Sequence, residues 1–221
     1  MGLRGKRILV TGACSLIGEA IVRRLVSEGA SVLGLSESKP HLKRLAADLG
    51  KGFEPITADI RGPDVILRLA KLGRFDALVC HADLAPETPK QGTHLPDLLQ
   101  QQLFCAIHTI EGCGPSMRNA GHGHVLIIEN LSHLQTAEAI PPAFHIWKGG
   151  YHALVKRWTS ELDADGVKVT VIGLDEVETV SGNDRTASLS QSVAEAVCQT
   201  LDAPAHACVH MESQPRATTL A

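Results

Sequence analysis

The sequence predicts an α/β fold, a doubly wound parallel sheet of about seven strands flanked by helices. Short apolar runs of strand length alternate with helical segments from one end of the chain to the other. The connections are long enough for the crossover helices that join parallel strands. The chain has 221 residues with no linker or internal repeat, so we expect a single domain, residues 1–221.

The predicted strands are the apolar runs that turn or helical segments separate. They cover residues 7–10, 31–35, 53–58, 77–80, 124–128, 168–172 and 207–211. A polar tail, residues 213–221, follows the last predicted strand. We expect this tail to be disordered, because nothing in its composition ties it to the core.

The charge, the hydropathy and the cysteine content of the chain argue against binding to nucleic acids, membranes and metals. The formal net charge of −3, with dispersed basic residues, gives no electrostatic case for a nucleic acid or an anionic membrane surface. No apolar run reaches the roughly 20 residues that span a bilayer, and no signal-peptide core precedes the first strand. The six cysteines lack C-x-x-C spacing, which favours reduced, buried thiols over a metal site. We therefore expect a cytoplasmic chain that binds no nucleic acid, membrane or metal.

The segment after the first strand carries the most informative motif. It reads Thr-Gly-Ala-Cys-Ser-Leu-Ile-Gly over residues 11–18 and opens a helical segment, residues 19–27. It resembles the T-G-x-x-x-G-x-G fingerprint of classical short-chain dehydrogenases/reductases, whose glycines let the backbone approach a dinucleotide pyrophosphate at a helix N-terminus. Gly12 and Gly18 match, but Leu16 replaces the middle glycine. This replacement indicates a cofactor that is displaced, weakly bound or absent.

The resemblance covers nearly the whole chain and implies a Rossmann-like fold. Asp59 corresponds to the family's adenine-contacting aspartate after the third strand, although a helix N-cap is an equally good interpretation. Glu37 follows the second strand, where an acidic residue would receive ribose hydroxyls. If a dinucleotide binds at all, this carboxylate favours the unphosphorylated form, because it would repel a 2′-phosphate.

The catalytic positions that the resemblance implies are degenerate. The family's N-N-A-G motif reads Cys-His-Ala-Asp over residues 80–83, and its helix asparagine maps onto Gln102. The position of the catalytic serine falls one place before Ser132. The Y-x-x-x-K pair keeps its lysine as Lys148, but Phe144 replaces the tyrosine. Phenylalanine transfers no proton, so Lys148 is either an ordinary helix lysine or a remaining ribose contact.

Other groups are poor substitutes for the missing phenol. Tyr151 lies about 10 Å further along the predicted helix, which is too far to serve the same proton. His145 is adjacent but rotated by about 100° from the direction of Phe144. The family's P-G after the sixth strand reads Leu-Asp at residues 174–175, and the segment that follows is shorter than the family's lid.

The segments that family members use for dimerisation remain. They correspond to residues 95–117 and 147–162. The second segment carries an apolar stripe at three- and four-residue spacing, which predicts packing on a partner or on the chain's own core. The stripe consists of Trp147, Tyr151, Leu154, Val155, Trp158 and Leu162.

Two hypotheses follow from the residues and the resemblance. The first is a catalytically inactive subunit that pairs with an active homologue in a hetero-oligomeric, heterotetrameric alcohol or hydroxyacyl-CoA dehydrogenase. We then expect no cofactor in this chain and NAD(H) in the homologous partner. The alternative is an atypical NAD(P)(H)-dependent oxidoreductase that uses His145 or a bound water in place of the tyrosine.

Overall fold

The computed structural model describes residues 2–81, 103–130, 142–174 and 183–203, without the side chains of residues 129–130, 142–148, 174 and 183–188. The strands are β1 (Arg7–Thr11), β2 (Ser31–Ser36), β3 (Phe53–Thr57), β4 (Ala77–His81), β5 (Gly123–Asn130) and β6 (Val167–Leu174). The helices are α1 (Leu16–Ser27), α2 (Lys39–Leu49), α3 (Asp64–Ala70), α4 (Phe104–Ala120), α5 (Pro142–Asp163) and α6 (Asn183–Asp202), with a short 3₁₀ turn at Gly50–Gly52. Among these described helices, none is both long and apolar enough to cross a membrane.

The strands form one parallel sheet in the order β3-β2-β1-β4-β5-β6. Each pair of neighbouring strands in that order runs parallel. The predicted doubly wound parallel sheet is therefore confirmed, with six strands in the described residues. The predicted seventh strand, 207–211, and the polar tail, 213–221, lie outside them.

Both faces of the sheet are covered, because alternate residues of a buried parallel strand point to opposite sides. In β1, Ile8 and Val10 join the layer that α1, α2 and α6 cover, and Leu9 joins the layer that α3, α4 and α5 cover. All three side chains are fully buried. The continuous apolar run that predicted this strand thus reflects burial on two sides.

The apolar stripe of α5 packs on the core of its own chain. Tyr151, Val155, Trp158 and Leu162 are buried in the layer formed with α3 and α4. The interpretation of these four residues as a partner-binding stripe is therefore wrong, because a crossover helix must cover the sheet before it can offer a face to a partner. The side chain of Trp147 is not among those described.

The strand order reverses at β1, and this switch point positions the candidate site. β2 and β3 lie on one side of β1, whereas β4, β5 and β6 lie on the other. Ligands of open α/β sheets bind outside the carboxyl ends of the strands at such a switch point. The loop after β1, the end of β4 and the segments after β2 and β3 all meet at this edge, which we call the switch-point edge.

Candidate functional site

Two glycines of the loop after β1 are required by packing within the chain. Gly12 has a φ of +63°, and a Cβ on it would lie 2.5 Å from the carbonyl oxygen of His81. A Cβ on Gly18 would collide with the carbonyl of Gly12. Both positions therefore need glycine whether or not a nucleotide binds, and their presence in the sequence is not by itself a sign of a cofactor.

Ser15 begins helix α1 at the switch-point edge. Its extended backbone precedes the helix, and its Oγ accepts a 2.9 Å hydrogen bond from the Gly18 amide. This N-cap starts the helix at Leu16, three residues before the predicted start. The positive end of the α1 dipole therefore points to the edge where an anion would bind.

Leu16 occupies the first position of α1 and is 55% exposed. Leu16 and Leu67 are the large hydrophobic side chains that stand exposed in the described part of the chain. A phosphate cradle at a helix N-terminus needs bare backbone in the first turn. An exposed four-carbon side chain stands in this turn at the position where the family has its middle glycine.

His81 ends β4 and lies against the same loop. Its amide donates to Thr11 Oγ1 over 3.0 Å, and the Thr11 hydroxyl donates back to its carbonyl oxygen. The ring Nε2 lies 3.0 Å from Ser15 Oγ. The side chain that replaces a family asparagine thus connects β4 to the residue that caps α1.

The His81 imidazole is neutral at pH 7. Burial lowers the pKa of His81 to about 4. Its buried Nδ1 has no hydrogen-bond partner among the described residues. The sequence showed a histidine in the N-N-A-G position, but it gave no sign that the ring would be buried against the N-cap.

Three charged residues meet where β2 and β3 end. The guanidinium of Arg61 pairs with both oxygens of Asp59, with Nε 2.8 Å from Oδ1 and Nη2 3.0 Å from Oδ2. Arg61 Nη2 also lies 2.9 Å from Glu37 Oε1. Hydrogen bonding to Arg61 holds the pKa of the Asp59 carboxyl below its usual value. The structure brings the predicted Glu37 and Asp59 together through an arginine that sequence reasoning missed.

The N-cap interpretation of Asp59 is wrong. Helix α3 begins at Asp64, and the residue before it is Pro63. Asp59 instead closes a tight turn, in which its Oδ1 accepts the Arg61 amide over 2.9 Å. The one available signal was an arginine two residues after the aspartate, a spacing at which the two side chains can pair.

The predicted catalytic positions lie largely beyond what the structure describes. Gln102 and Ser132 are outside the described residues. Phe144 and Lys148 lie in the N-terminal part of α5, four residues apart and so on one helix face, but their side chains are not described. The positions of these four side chains relative to the loop after β1 therefore stay predictions.

Burial raises the pKa of the cysteine thiols that lie in the core beneath the loop. Cys105 Sγ lies 3.4 Å from Thr11 Oγ1, and burial raises the pKa of its thiol to about 11. Burial also raises the pKa of Cys113 to about 12. The expectation of reduced, buried thiols is confirmed for Cys80, Cys105, Cys113 and Cys198, whereas Cys14 is partly exposed. Over the described ranges, no three His, Cys, Asp or Glu residues group in a way that could hold a metal ion.

The sheet order, with a glycine loop at its switch point, defines a Rossmann-type α/β protein. The chain belongs to the short chain dehydrogenase family, whose model matches residues 6–189. It is 27% identical over 222 residues to an uncharacterized oxidoreductase of Staphylococcus aureus strain MW2, with 94% of this chain and 96% of the relative covered. An uncharacterized oxidoreductase of Staphylococcus epidermidis strain ATCC 35984 is 26% identical over 221 residues with the same coverage.

Solved structures share the fold. A metagenomic short-chain oxidoreductase in complex with NADP superposes with a TM-score of 0.75 at 22% identity, covering 93% of this chain and 95% of that one. Serine dehydrogenase from Escherichia coli superposes with a TM-score of 0.70 at 27% identity, covering 92% and 94%. These similarities support the architecture over nearly the full length of both chains.

Proposed function

We propose that this chain is a short-chain dehydrogenase/reductase subunit without dehydrogenase activity of its own. In this proposal it pairs with a catalytically complete homologue, and that homologue supplies the NAD(H) site and the proton transfer. The observation that carries the proposal is Leu16, an exposed apolar side chain in the first turn of α1. A helix N-terminus attracts phosphate through bare amides, and Leu16 adds an exposed hydrocarbon side chain to that first turn.

The neighbourhood of Leu16 supports the same conclusion. A buried, neutral imidazole replaces the amide side chain that the family carries at the end of β4, and it bonds to the N-cap Ser15. The loop is therefore stabilised by contacts within the chain. Because these contacts hold the loop, its conformation does not depend on a bound ligand.

The sequence of α5 supports the absence of dehydrogenase chemistry. Phe144 has no ionisable group, so a hydroxyl substrate in this position would have no partner for its proton. The family's serine is displaced to Ser132 and its helix asparagine is Gln102. Lys148 alone does not replace the phenol, which both donates and accepts the proton in the family mechanism. An alcohol or hydroxyacyl-CoA substrate would therefore react on the homologous partner.

Pairing would use the layer that α4 and α5 form, in a hetero-oligomer that we propose to be a heterotetramer. The described outer face of α5 exposes polar and small residues, including His152, Ala153, Lys156 and Arg157. An interface there would rest on polar contacts and shape, since the apolar stripe is used inside the chain.

The second candidate is an atypical NAD(P)(H)-dependent oxidoreductase. The relatives that match 94% of this chain are named oxidoreductases, which favours retained activity by analogy. Under this candidate, His145 or a bound water would move the proton. Carbonyl reduction by the isolated chain that disappears in His145→Ala would establish it over the first proposal.

Calorimetric titration tests the first proposal. The purified chain should show no binding of NAD⁺, NADH, NADP⁺ or NADPH at millimolar ligand. Leu16→Gly should still bind no dinucleotide with micromolar affinity, because the altered segment 80–83, which includes His81, is still present. Leu16→Ala is the matched control, since it shortens the side chain and keeps helix propensity. Micromolar binding of a dinucleotide by the wild-type chain would show the proposal to be wrong.

A further inference from the structure

We propose that the Arg61 side chain occupies the part of the switch-point edge where the nucleoside of a dinucleotide would bind. It takes the hydrogen bonds that Glu37 and Asp59 would otherwise offer to the hydroxyl and amino groups of a nucleoside. This inference rests on the proposed function, because it assumes a chain that holds no dinucleotide. It goes further by identifying the group that stands in the nucleoside's place.

The location of the two carboxylates is set by the sheet. Glu37 directly follows β2, and Asp59 lies two residues after β3. β2 and β3 are parallel neighbours, and β2 pairs in turn with β1, which leads into the glycine loop. Both carboxylates therefore lie at the carboxyl edge of the sheet, beside the loop where nucleotides bind in doubly wound folds.

Arg61 uses both oxygens of the Asp59 carboxylate. Oδ1 accepts from the Arg61 amide over 2.9 Å and from Nε over 2.8 Å, and Oδ2 accepts from Nη2 over 3.0 Å. Paired contacts between a guanidinium and a carboxylate are among the strongest charge-assisted hydrogen bonds. A nucleoside would have to replace these contacts with weaker, uncharged donors.

The same guanidinium joins the second carboxylate. Arg61 Nη2 lies 2.9 Å from Glu37 Oε1, so one cation bridges two anionic groups that follow neighbouring strands. The bridge therefore offsets part of the negative charge of the edge in the absence of any ligand.

The Arg61 guanidinium competes for the two carboxylates at a high local concentration, because it belongs to the same chain. Arg61 follows Asp59 by two residues, and the Gly62 amide closes the turn on the Asp59 carbonyl oxygen over 3.3 Å. The turn holds the guanidinium next to its acceptors, so its contacts are intramolecular and carry a high effective concentration. A nucleoside in solution competes against this local concentration.

The three side chains remain accessible, which makes the inference testable. Arg61 is 37% exposed, Glu37 57% and Asp59 48%. Exposed ion pairs contribute little to folding stability. Removing the guanidinium should therefore free the carboxylates without unfolding the chain.

Adenosine is the probe, because it has no phosphate and no nicotinamide and so does not sample the region of Leu16. We would titrate it into isotope-labelled chain and follow the backbone amide resonances of residues 36–38 and 59–62. Arg61→Ser should bind adenosine about tenfold more tightly than the wild-type chain, the gain expected when charged acceptors become available. Arg61→Lys, which keeps the charge but not the paired geometry, should fall between them.

Arg68→Ser is the matched control, because it removes the same charge from an exposed arginine that bonds to the Thr57 carbonyl oxygen instead. It should bind adenosine as the wild-type chain does. Equal adenosine affinity of the wild-type chain and Arg61→Ser, including no binding by either, would overturn the inference and leave the proposed function standing. Micromolar NAD(H) binding by the wild-type chain would instead contradict the proposed function.

Discussion

A dinucleotide fingerprint needs glycines for two reasons, which are the packing of the chain itself and the approach of the cofactor. The residues Gly12, Leu16 and Gly18 separate these two reasons. Gly12 and Gly18 are needed because a Cβ on either would meet backbone of the same chain. The position of Leu16 is exposed, so only a ligand would demand glycine there. The glycines required for folding remain, and the glycine that serves only the ligand is replaced. This pattern supports the proposal that the chain keeps its fold without binding a cofactor.

Gly18→Ala tests whether the retained glycines serve the fold. The added methyl group would collide with the Gly12 carbonyl, so we expect a loss of about 1–3 kcal/mol in the free energy of unfolding. Gly149→Ala is the control, because that helical position has open space around it. It should stabilise the chain by about 0.5–1 kcal/mol. Urea denaturation measures both, and equal effects of the two changes would contradict this role for Gly18.

Sequence reasoning found most of the residues at the switch-point edge but not their contacts. The family resemblance predicts Glu37 and Asp59 after the second and third strands, and the structure confirms those places. Arg61 and the buried ring of His81 were missed. Side-chain pairing and burial depend on where neighbouring strands end in space, which a single sequence does not specify.

At the scale of helices and strands, the periodicity of apolar residues predicted the elements well but not what covers them. The stripe on α5 predicted a buried helix face, and the face is buried. Its spacing is the same whether a partner or the chain's own sheet supplies the contacts. The N-terminus of α1 also differed from the prediction, because the Ser15 cap lies inside the motif and starts the helix at Leu16 and not at Glu19.

Trp158→Ala tests the revised role of the α5 stripe. Trp158 is buried in the core, so its truncation should lower the free energy of unfolding by about 3–5 kcal/mol. Arg157→Ala is the matched control on the same helix, since that side chain is 72% exposed, and its effect should stay within about 0.5 kcal/mol. A Trp158→Ala chain with unchanged stability that has lost a partner would restore the interface interpretation.

At the scale of the whole molecule, the buried His81 and the partly buried His124 predict the pH dependence of stability. Burial lowers the pKa of His81 to about 4 and that of His124 to about 3. Both rings stay neutral in the folded chain while the unfolded chain takes up protons near pH 6.5. Their contribution to stability is therefore complete above about pH 6.5 and is lost as the pH falls toward 4.

The expected slope is up to about 1.4 kcal/mol per pH unit for each histidine below pH 6.5. Urea denaturation between pH 7.5 and 5 measures it. His81→Asn, which introduces the family's amide, should reduce the slope by about half relative to the wild-type chain, because one of the two titrating rings is gone. A flat profile in the wild-type chain would show that the two rings are not buried and neutral in solution.

In the proposed oligomer this chain contributes the fold, and the homologue contributes the NADH site and the proton transfer. Native mass spectrometry in the presence of NADH, on the chain co-expressed with a homologue that has an intact Y-x-x-x-K pair, tests this division of roles most directly. We expect a stable mixed oligomer in which each homologous subunit carries NADH and no copy of this chain does. NADH bound to this chain, or a monomer that associates with none of the homologues offered, would contradict the account.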